Sequence, residues 1–382
     1  MPDPLPETSS RSPRPVALFL PSLAGGGAER AVLDAARTLA ADGMVVHLVV
    51  ASAQGTYRSE VPANVTLIDL ACSRTAFAVW PLARYLSRVN PQTLLAALTH
   101  ANVVAVAAKQ LSGWKGRLVV SERNTLSSAW SRWSPHRQRL QAIALAACYR
   151  RADAVATVSK GVADDLVRLL GLEPSHVHVL YNATASPRLE QLALASLDDP
   201  WFAPGSPPVF LAVGRLDRQK DFETLLHALH VARSQPSVPI ALRPRMVVLG
   251  EGPERAALEA QSEALGLREH VRFPGFADNP FAWMSRVHAF VLSSRFEGLP
   301  NVLIQALTVG CPAISTRCPS GPEEILADGR YGVLVPVGDQ TALGLAIAAA
   351  CVQPRAAVDP NAVAPFRPEA VRLQLREVLS LD

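Results

Sequence analysis

A chain of 382 residues is longer than one hydrophobic core usually serves, so two domains of roughly 150–200 residues each are expected. Hydrophobic residues make up 49% and charged residues 18%, with no apolar run near the roughly 20 residues that span a bilayer, which excludes a helical integral membrane protein. The formal charge of +4 suits small anionic partners and an ordinary enzyme alike, and no nucleic-acid partner is expected from it.

Residues 1–14 are rich in Pro and Ser and read as a disordered tail, and the apolar stretch after them is too short for a signal peptide. Short apolar runs then alternate with helical patterns, the layout of a parallel sheet covered on both faces. The class is α/β. In the first half, 16–20, 45–50, 65–67, 94–98, 118–121 and 154–158 are predicted strands, with helices over 28–41 and 137–150, making an N-terminal Rossmann-like domain over 15–185. Arg132, His136, Arg137, Arg139, Arg150 and Arg151 crowd a segment that also holds Trp130 and Trp133. That segment reads either as a solvated helix face over core tryptophans or as a surface for an anionic membrane. Five prolines between 185 and 208 interrupt regular structure and mark a linker over 186–207. A second α/β run over 208–352 has predicted strands at 209–213, 246–249, 271–273, 289–292, 312–315 and 333–335. Val371, Leu375, Val378 and Leu379 form an apolar stripe on a final helix over 365–382, which must pack on another element. Five cysteines without a C-x-x-C pair suit reduced thiols and a cytoplasmic location.

Open parallel sheets bind ligands beyond the carboxyl ends of their strands, so the strand-to-helix loops are the places for chemistry. The first, Gly25-Gly26-Gly27-Ala28-Glu29-Arg30, can offer bare amides to a phosphate at a helix N-terminus, or it is a plain tight turn. Arg30 stands where the third glycine of a dinucleotide fingerprint would be, which disfavours an NAD-linked oxidoreductase. The second loop runs Gly214-Arg215-Leu216-Asp217-Arg218-Gln219-Lys220-Asp221-Phe222. Its Arg215 fork and Lys220 point charge match the two charges of a pyrophosphate; the competing reading is a surface salt bridge to Asp217, Asp221 or Glu223. In the third, Glu297-Gly298-Leu299-Pro300-Asn301, Pro300 suits a first helical turn, leaving the Gly298 and Leu299 amides to face an anion. Asn301 and Gln305 share one helix face, and Glu297 can accept from sugar hydroxyls; an ordinary N-terminal cap is the alternative.

These loops, with Leu249-Gly250-Glu251-Gly252-Pro253, resemble in residues and order the retaining glycosyltransferases of family 4, the group 1 family with the GT-B fold. The resemblance covers nearly the whole chain, and Cys318-Pro319-Ser320-Gly321-Pro322-Glu323-Glu324 is similar to members that extend lipid-linked or polysaccharide glycans, often from UDP-sugars. It implies two Rossmann-like domains facing across a cleft, with the last helix crossing back to the N-terminal one. It further implies Arg215 and Lys220 on the donor diphosphate and Glu297 on the donor sugar. Gly26, Gly27, Gly214, Gly250, Gly298, Leu299, Asn301 and Gln305 would complete the donor set, and Phe276 would border the base. No cofactor and no metal are expected, because the family needs none and the chain has no D-x-D triplet.

Two departures from the family pattern stand out. Its second motif glutamate is Gln305 here, an amide that can still serve a ribose with one acceptor and two donor hydrogens, so activity is expected to survive. Where many members place a histidine, this chain has Ser121-Glu122-Arg123-Asn124, and Glu122, Arg123 and Asn124 are expected to orient the acceptor, or else to form a structural salt bridge. The partners expected are thus a nucleotide-sugar donor, a glycan or lipid-linked glycan acceptor, and an anionic membrane surface met peripherally. The rival readings are a non-catalytic nucleotide-sugar-binding subunit and a GT-B sugar-nucleotide epimerase.

Overall fold

The computed structural model describes residues 14–381, so the expected tail over 1–14 lies, Arg14 apart, outside the described residues. Strands β1 (Val16–Leu20), β2 (Val46–Val50), β3 (Val65–Asp69), β4 (Thr93–Ala97), β5 (Arg117–Glu122), β6 (Ala154–Thr157) and β7 (Val177–Val179) form one sheet in the order β3-β2-β1-β4-β5-β6-β7. Strands β8 (Val209–Val213), β9 (Arg245–Leu249), β10 (Val271–Gly275), β11 (Ala289–Leu292), β12 (Ala313–Thr316) and β13 (Val333–Val335) form a second, ordered β10-β9-β8-β11-β12-β13. The five pairings of the second sheet are parallel, as are β1 with β2, β1 with β4, β2 with β3 and β4 with β5 in the first.

Helices on both faces explain why these strands are unbroken apolar runs rather than alternating ones. Every residue of β1 and of β4 is buried. In the second sheet, Phe210, Met246, Val248 and Val291 share a core with Leu225, Leu226 and Leu229 of the helix Phe222–Ser234 and Leu343 and Ile347 of the helix Gln340–Cys351. Each sheet reverses its order beside its first strand, β1 or β8, and at such a point loops on neighbouring strands diverge and leave a crevice.

By packing, the chain divides into two compact units. One takes in the residues up to Glu122, Ile143–Ala156 and those from Leu375 on; the other takes in Arg123–Ala142 and Thr157–Gln374. In the first unit, Leu375, Val378 and Leu379 of the last helix are buried, Thr93 Oγ1 donates to the Leu379 carbonyl and Arg117 Nε to that of Val378. No helix among the described residues is long and apolar enough to cross a membrane. All five cysteines are free thiols, Cys311, Cys318 and Cys351 buried and Cys72 and Cys148 half-buried.

Most expected strand and helix bounds shift by one to three residues, and three further departures have a local cause. β4 stops at Ala97 because Leu98 turns to φ 83° and starts the helix Thr99–Ser112. Strand β7 was not anticipated: it has only three residues, all half-buried, and no apolar run to announce it. Within 186–207 the prolines start structure as well as breaking it. Ser186 caps the helix Pro187–Ala193 with Pro187 in its first turn, where the missing N–H costs nothing, and Asp199 caps the short turn Pro200–Phe202.

Candidate active site

Because β8 and β11 are hydrogen-bonded neighbours, the loops at 214–221 and 293–300 leave the second sheet side by side. Several bonds lock them together. Ser293 Oγ donates to the Lys220 carbonyl at 2.7 Å, the Arg295 amide to the Gln219 carbonyl at 2.8 Å, and Gln219 Nε2 to the Phe296 carbonyl at 3.0 Å. Arg295 also bonds Asp221 at 2.9 Å, and that hydrogen bond raises the guanidinium further above its ordinary range.

At the centre of this pair, Lys220 Nζ donates to Glu297 Oε1 at 2.6 Å. The same carboxylate oxygen accepts from Ser294 Oγ at 2.6 Å, and Gln219 Nε2 lies 3.5 Å from the other. The side chains of Lys220 and Glu297 are 17% and 9% exposed, so the pair is largely withdrawn from water but open at one edge. Burial, with the Glu297 charge adding to it, pushes the neighbouring Cys318 thiol up to about 12, which keeps it protonated. Arg215 has the opposite setting. Its side chain is 71% exposed and only its Nε is engaged, with Asp217, so its terminal nitrogens have no acceptor among the described residues.

The glycines around this pair are required by close approach. A Cβ on Gly250, at φ 135°, would fall 1.9 Å from the Gly214 carbonyl oxygen, and one on Gly298 would fall 2.1 Å from that of Arg123. Gly214 in turn leaves room for the Lys220 stem, which passes 3.1–3.3 Å from where its Cβ would be. Gly298 and Leu299 are buried residues whose backbone amides find no acceptor among the described residues. Buried unpaired amides are rare, and here two stand in succession just before the helix Asn301–Thr308.

The structure brings Arg215, Lys220, Glu297, Gly214, Gly250, Gly298, Leu299, Asn301 and Gln305 into these two loops and the elements that flank them. The Gln305 side chain is half-buried and has no hydrogen-bond partner among the described residues. Phe276 opens the loop after β10 and is 77% exposed. Arg123 and Asn124 belong to the same unit, and Arg123 donates to Asn182 Oδ1 at 2.6 Å, whose Nδ2 donates to Asn301 Oδ1 at 2.7 Å. Gly26, Gly27 and Glu122 belong to the first unit. Gly26 precedes the helix Gly27–Ala41, and Arg30 is held by two bonds to Glu60 at 2.6 and 2.9 Å. Glu122 is buried at the end of β5, where its carboxylate accepts from Thr99 Oγ1 and from the Tyr149 hydroxyl at 2.7 Å. Burial raises the Tyr149 phenol well above its ordinary range.

Sequence reasoning missed Gln219, Ser294, Thr125, Ser159, Asn182 and Ser320. Gln219 was within reach, since it lies in the loop Gly214–Phe222 next to Lys220. Thr125 and Ser159 come from loops more than a hundred residues away from Glu297, and no spacing links them to it.

A model of Glycosyltransferase Family 4 matches residues 25–185 and one of Glycosyl transferases group 1 matches residues 207–352. The chain is 29% identical, over 85% of its length and 87% of the other protein, to the N-acetylgalactosamine-N,N'-diacetylbacillosaminyl-diphospho-undecaprenol 4-alpha-N-acetylgalactosaminyltransferase of Campylobacter jejuni. It is 25% identical, over 71% of its length and 68% of the other's, to the lipopolysaccharide 1,6-galactosyltransferase of Salmonella typhimurium. Among solved structures, HepE of Anabaena in complex with UDP and glucose superposes with a TM-score of 0.75 at 21% identity, covering 96% of this chain and 99% of that one. The apo lipopolysaccharide outer core galactosyltransferase WaaB superposes at 0.69 and 19% identity, over 96% and 99% of the two chains. At such identities the likeness speaks to the fold.

Proposed function

The chain belongs to the glycosyltransferases of group 1 and family 4, with their GT-B fold, and on that premise we propose that it moves a hexose or N-acetylhexosamine from a UDP-sugar to a glycan or lipid-linked glycan, with retention at the anomeric carbon. The observation that carries the donor half of this reading is the locked pair of loops after β8 and β11. They set Arg215, Lys220 and two unpaired amides at one end of one sheet, a donor set suited to a diphosphate. Relatives named for polyprenyl-diphosphate and lipopolysaccharide acceptors support the acceptor half, in polysaccharide or lipopolysaccharide biosynthesis.

In this reading the bond from the anomeric carbon to the diphosphate breaks as the acceptor hydroxyl attacks from the same face, so no protein nucleophile is needed. Stabilising the leaving diphosphate is then the main task. Arg215, Lys220 and the amides of Gly298 and Leu299 do it with charges fixed before the reaction, which act more strongly in a partly desolvated site than in water. Glu297, already held by Lys220 and Ser294, is oriented to accept from the donor sugar, and the open amide of Gln305 serves the ribose. Asn301 holds the helix that carries Gln305, and Phe276 borders the base. Arg123 and Asn124 face the acceptor, and Glu122 positions the strand end that presents them. Two cations and two amides supply the counter-charge that a metal gives other transferases, so we propose metal-independent turnover.

The test is transfer from a panel of UDP- and GDP-sugars to polyprenyl-diphosphate-linked and free glycans, with product configuration read by NMR and excess chelator present. Retained configuration and undiminished rate in chelator are expected; inversion, or loss that manganese or magnesium restores, would refute the corresponding part.

A lipid-linked acceptor also calls for membrane contact. Trp130 is buried and stacks at 5.5 Å on half-buried Trp133, Arg137 lies over Trp133 at 4.1 Å, and Arg132, His136, Arg139 and Leu140 beside them are exposed. We assign this face to an anionic membrane surface met peripherally. Cosedimentation with phosphatidylglycerol vesicles at low salt should drop when Arg132, Arg137 and Arg139 become glutamine, and equal binding by the variant would refute the assignment.

A further inference from the structure

Three hydroxyls converge on the two carbonyls that adjoin the unpaired amides. Thr125 Oγ1, from the loop after β5, donates to the Glu297 carbonyl at 2.7 Å. Ser159 Oγ, after β6, and Ser320 Oγ, after β12, both donate to the Gly298 carbonyl at 2.8 Å. The two serine oxygens lie 2.9 Å apart, and all three residues are buried. Ser159 also accepts from the Val162 amide at 3.3 Å, capping the helix Lys160–Leu170, so its hydroxyl is fixed at both ends. The Ser320 and Glu297 backbones are paired as well, through Ser320 N to Glu297 O at 3.0 Å and Glu297 N to Pro319 O at 2.8 Å.

A trans peptide is planar, and its C=O and N–H point in opposite directions. The Glu297 carbonyl shares a plane with the Gly298 amide, and the Gly298 carbonyl shares one with the Leu299 amide. Holding the two carbonyls on one side therefore turns both amides to the other. Neither amide has an acceptor among the described residues, whereas both carbonyls are saturated, so the bonds are all spent on orientation. Only a glycine fits at 298, because a Cβ there would fall 2.1 Å from the Arg123 carbonyl oxygen.

We infer that Thr125, Ser159 and Ser320 are positioning residues of the donor site, three hydroxyls that aim the Gly298 and Leu299 amides at the diphosphate by clamping the carbonyls behind them. The inference rests on the donor-site reading above and adds to it residues from three loops outside the donor motifs.

The experiment is calorimetric titration of UDP and GDP, with ligand-observed NMR of uridine and guanosine, into the full chain and into Thr125→Val, Thr125→Ser, Ser159→Ala and Ser320→Ala, with Arg215→Ala alongside and melting curves for each. Thr125→Val and Ser320→Ala should each weaken the preferred diphosphate by about tenfold and leave its nucleoside unaffected, while Thr125→Ser, which keeps the hydroxyl, should bind within about twofold of the parent. Should Thr125→Val fail to fold, the serine variants, which lose one oxygen each, carry the test. Diphosphate and nucleoside weakening together, or equal loss in Thr125→Ser and Thr125→Val, would show packing rather than aiming and overturn the inference. A parent that binds, an Arg215→Ala that binds less, and hydroxyl variants that bind as the parent does would overturn the clamp alone. A parent that binds neither diphosphate would overturn the donor reading, and the clamp with it.

Discussion

Lys220 and Glu297 form an ion pair across 77 residues of chain, and each has a different use for the other. Glu297 holds the ammonium in place, and Lys220, with Ser294, fixes the carboxylate that we propose accepts from the sugar. Replacing Lys220 by Ala should lower kcat/KM by at least about a hundredfold, since a fixed cation at a developing anion contributes on that scale. Glu297→Gln, which keeps two of the contacts but not the charge, should cost less, about tenfold, and mainly in kcat; steady-state kinetics with the preferred donor would show the order, and a larger loss in Glu297→Gln would reverse these roles. The residue types at this site were readable as loop motifs, because cations and acids after strands are conspicuous. Their pairing was not. Which loops meet depends on β8 lying next to β11, a fact of sheet order that no local spacing encodes. Glu122 shows the same limit, since nothing in Ser121-Glu122-Arg123-Asn124 announces a carboxylate buried under Thr99 and Tyr149.

Elements were the most legible scale. Strands β1, β8 and β11 fall on the runs read from the sequence because buried parallel strands are contiguous apolar runs bounded by loops, and β13 falls on its run too, although Val333 is exposed. β7 is not legible because an edge strand of three half-buried residues has no such run, and proline density hides the helix Pro187–Ala193 because the same residue that breaks a helix interior is tolerated in a first turn. The last helix reads correctly as an apolar stripe: Leu375 is 1% exposed, and the Leu379 and Val378 carbonyls are tied to Thr93 and Arg117 within the first unit. Truncating such a side chain removes its transfer energy and leaves a cavity, so Leu375→Ala should destabilise the first unit by about 2–5 kcal/mol. Urea unfolding followed by circular dichroism would measure it, and a loss under about 1 kcal/mol would mean that the helix end contributes little packing.

For the whole molecule, four histidines set the acid side of stability. Burial lowers the values of His47, His100, His270 and His288 below the ordinary 6.5. The unfolded chain therefore binds more protons than the folded one as the medium acidifies. Their contribution is complete above 6.5 and is lost as pH falls toward the lowered folded values, so the melting temperature should drop between pH 7.5 and 5.5; a flat profile would contradict these burials. The two-sheet α/β organisation itself was visible in the alternation of elements, while the division into packed units was not, because it takes Arg123–Ala142 away from the strand that precedes it. The central claim, that this glycosyltransferase grips a nucleoside diphosphate through the loops after β8 and β11, is tested most directly by calorimetric titration of UDP and GDP into the full chain and into an Arg215→Ala, Lys220→Ala double variant. Binding of one nucleotide that the double variant loses by at least about a hundredfold is the predicted result. Binding that survives the double change, or no binding of either nucleotide by the parent, would contradict it.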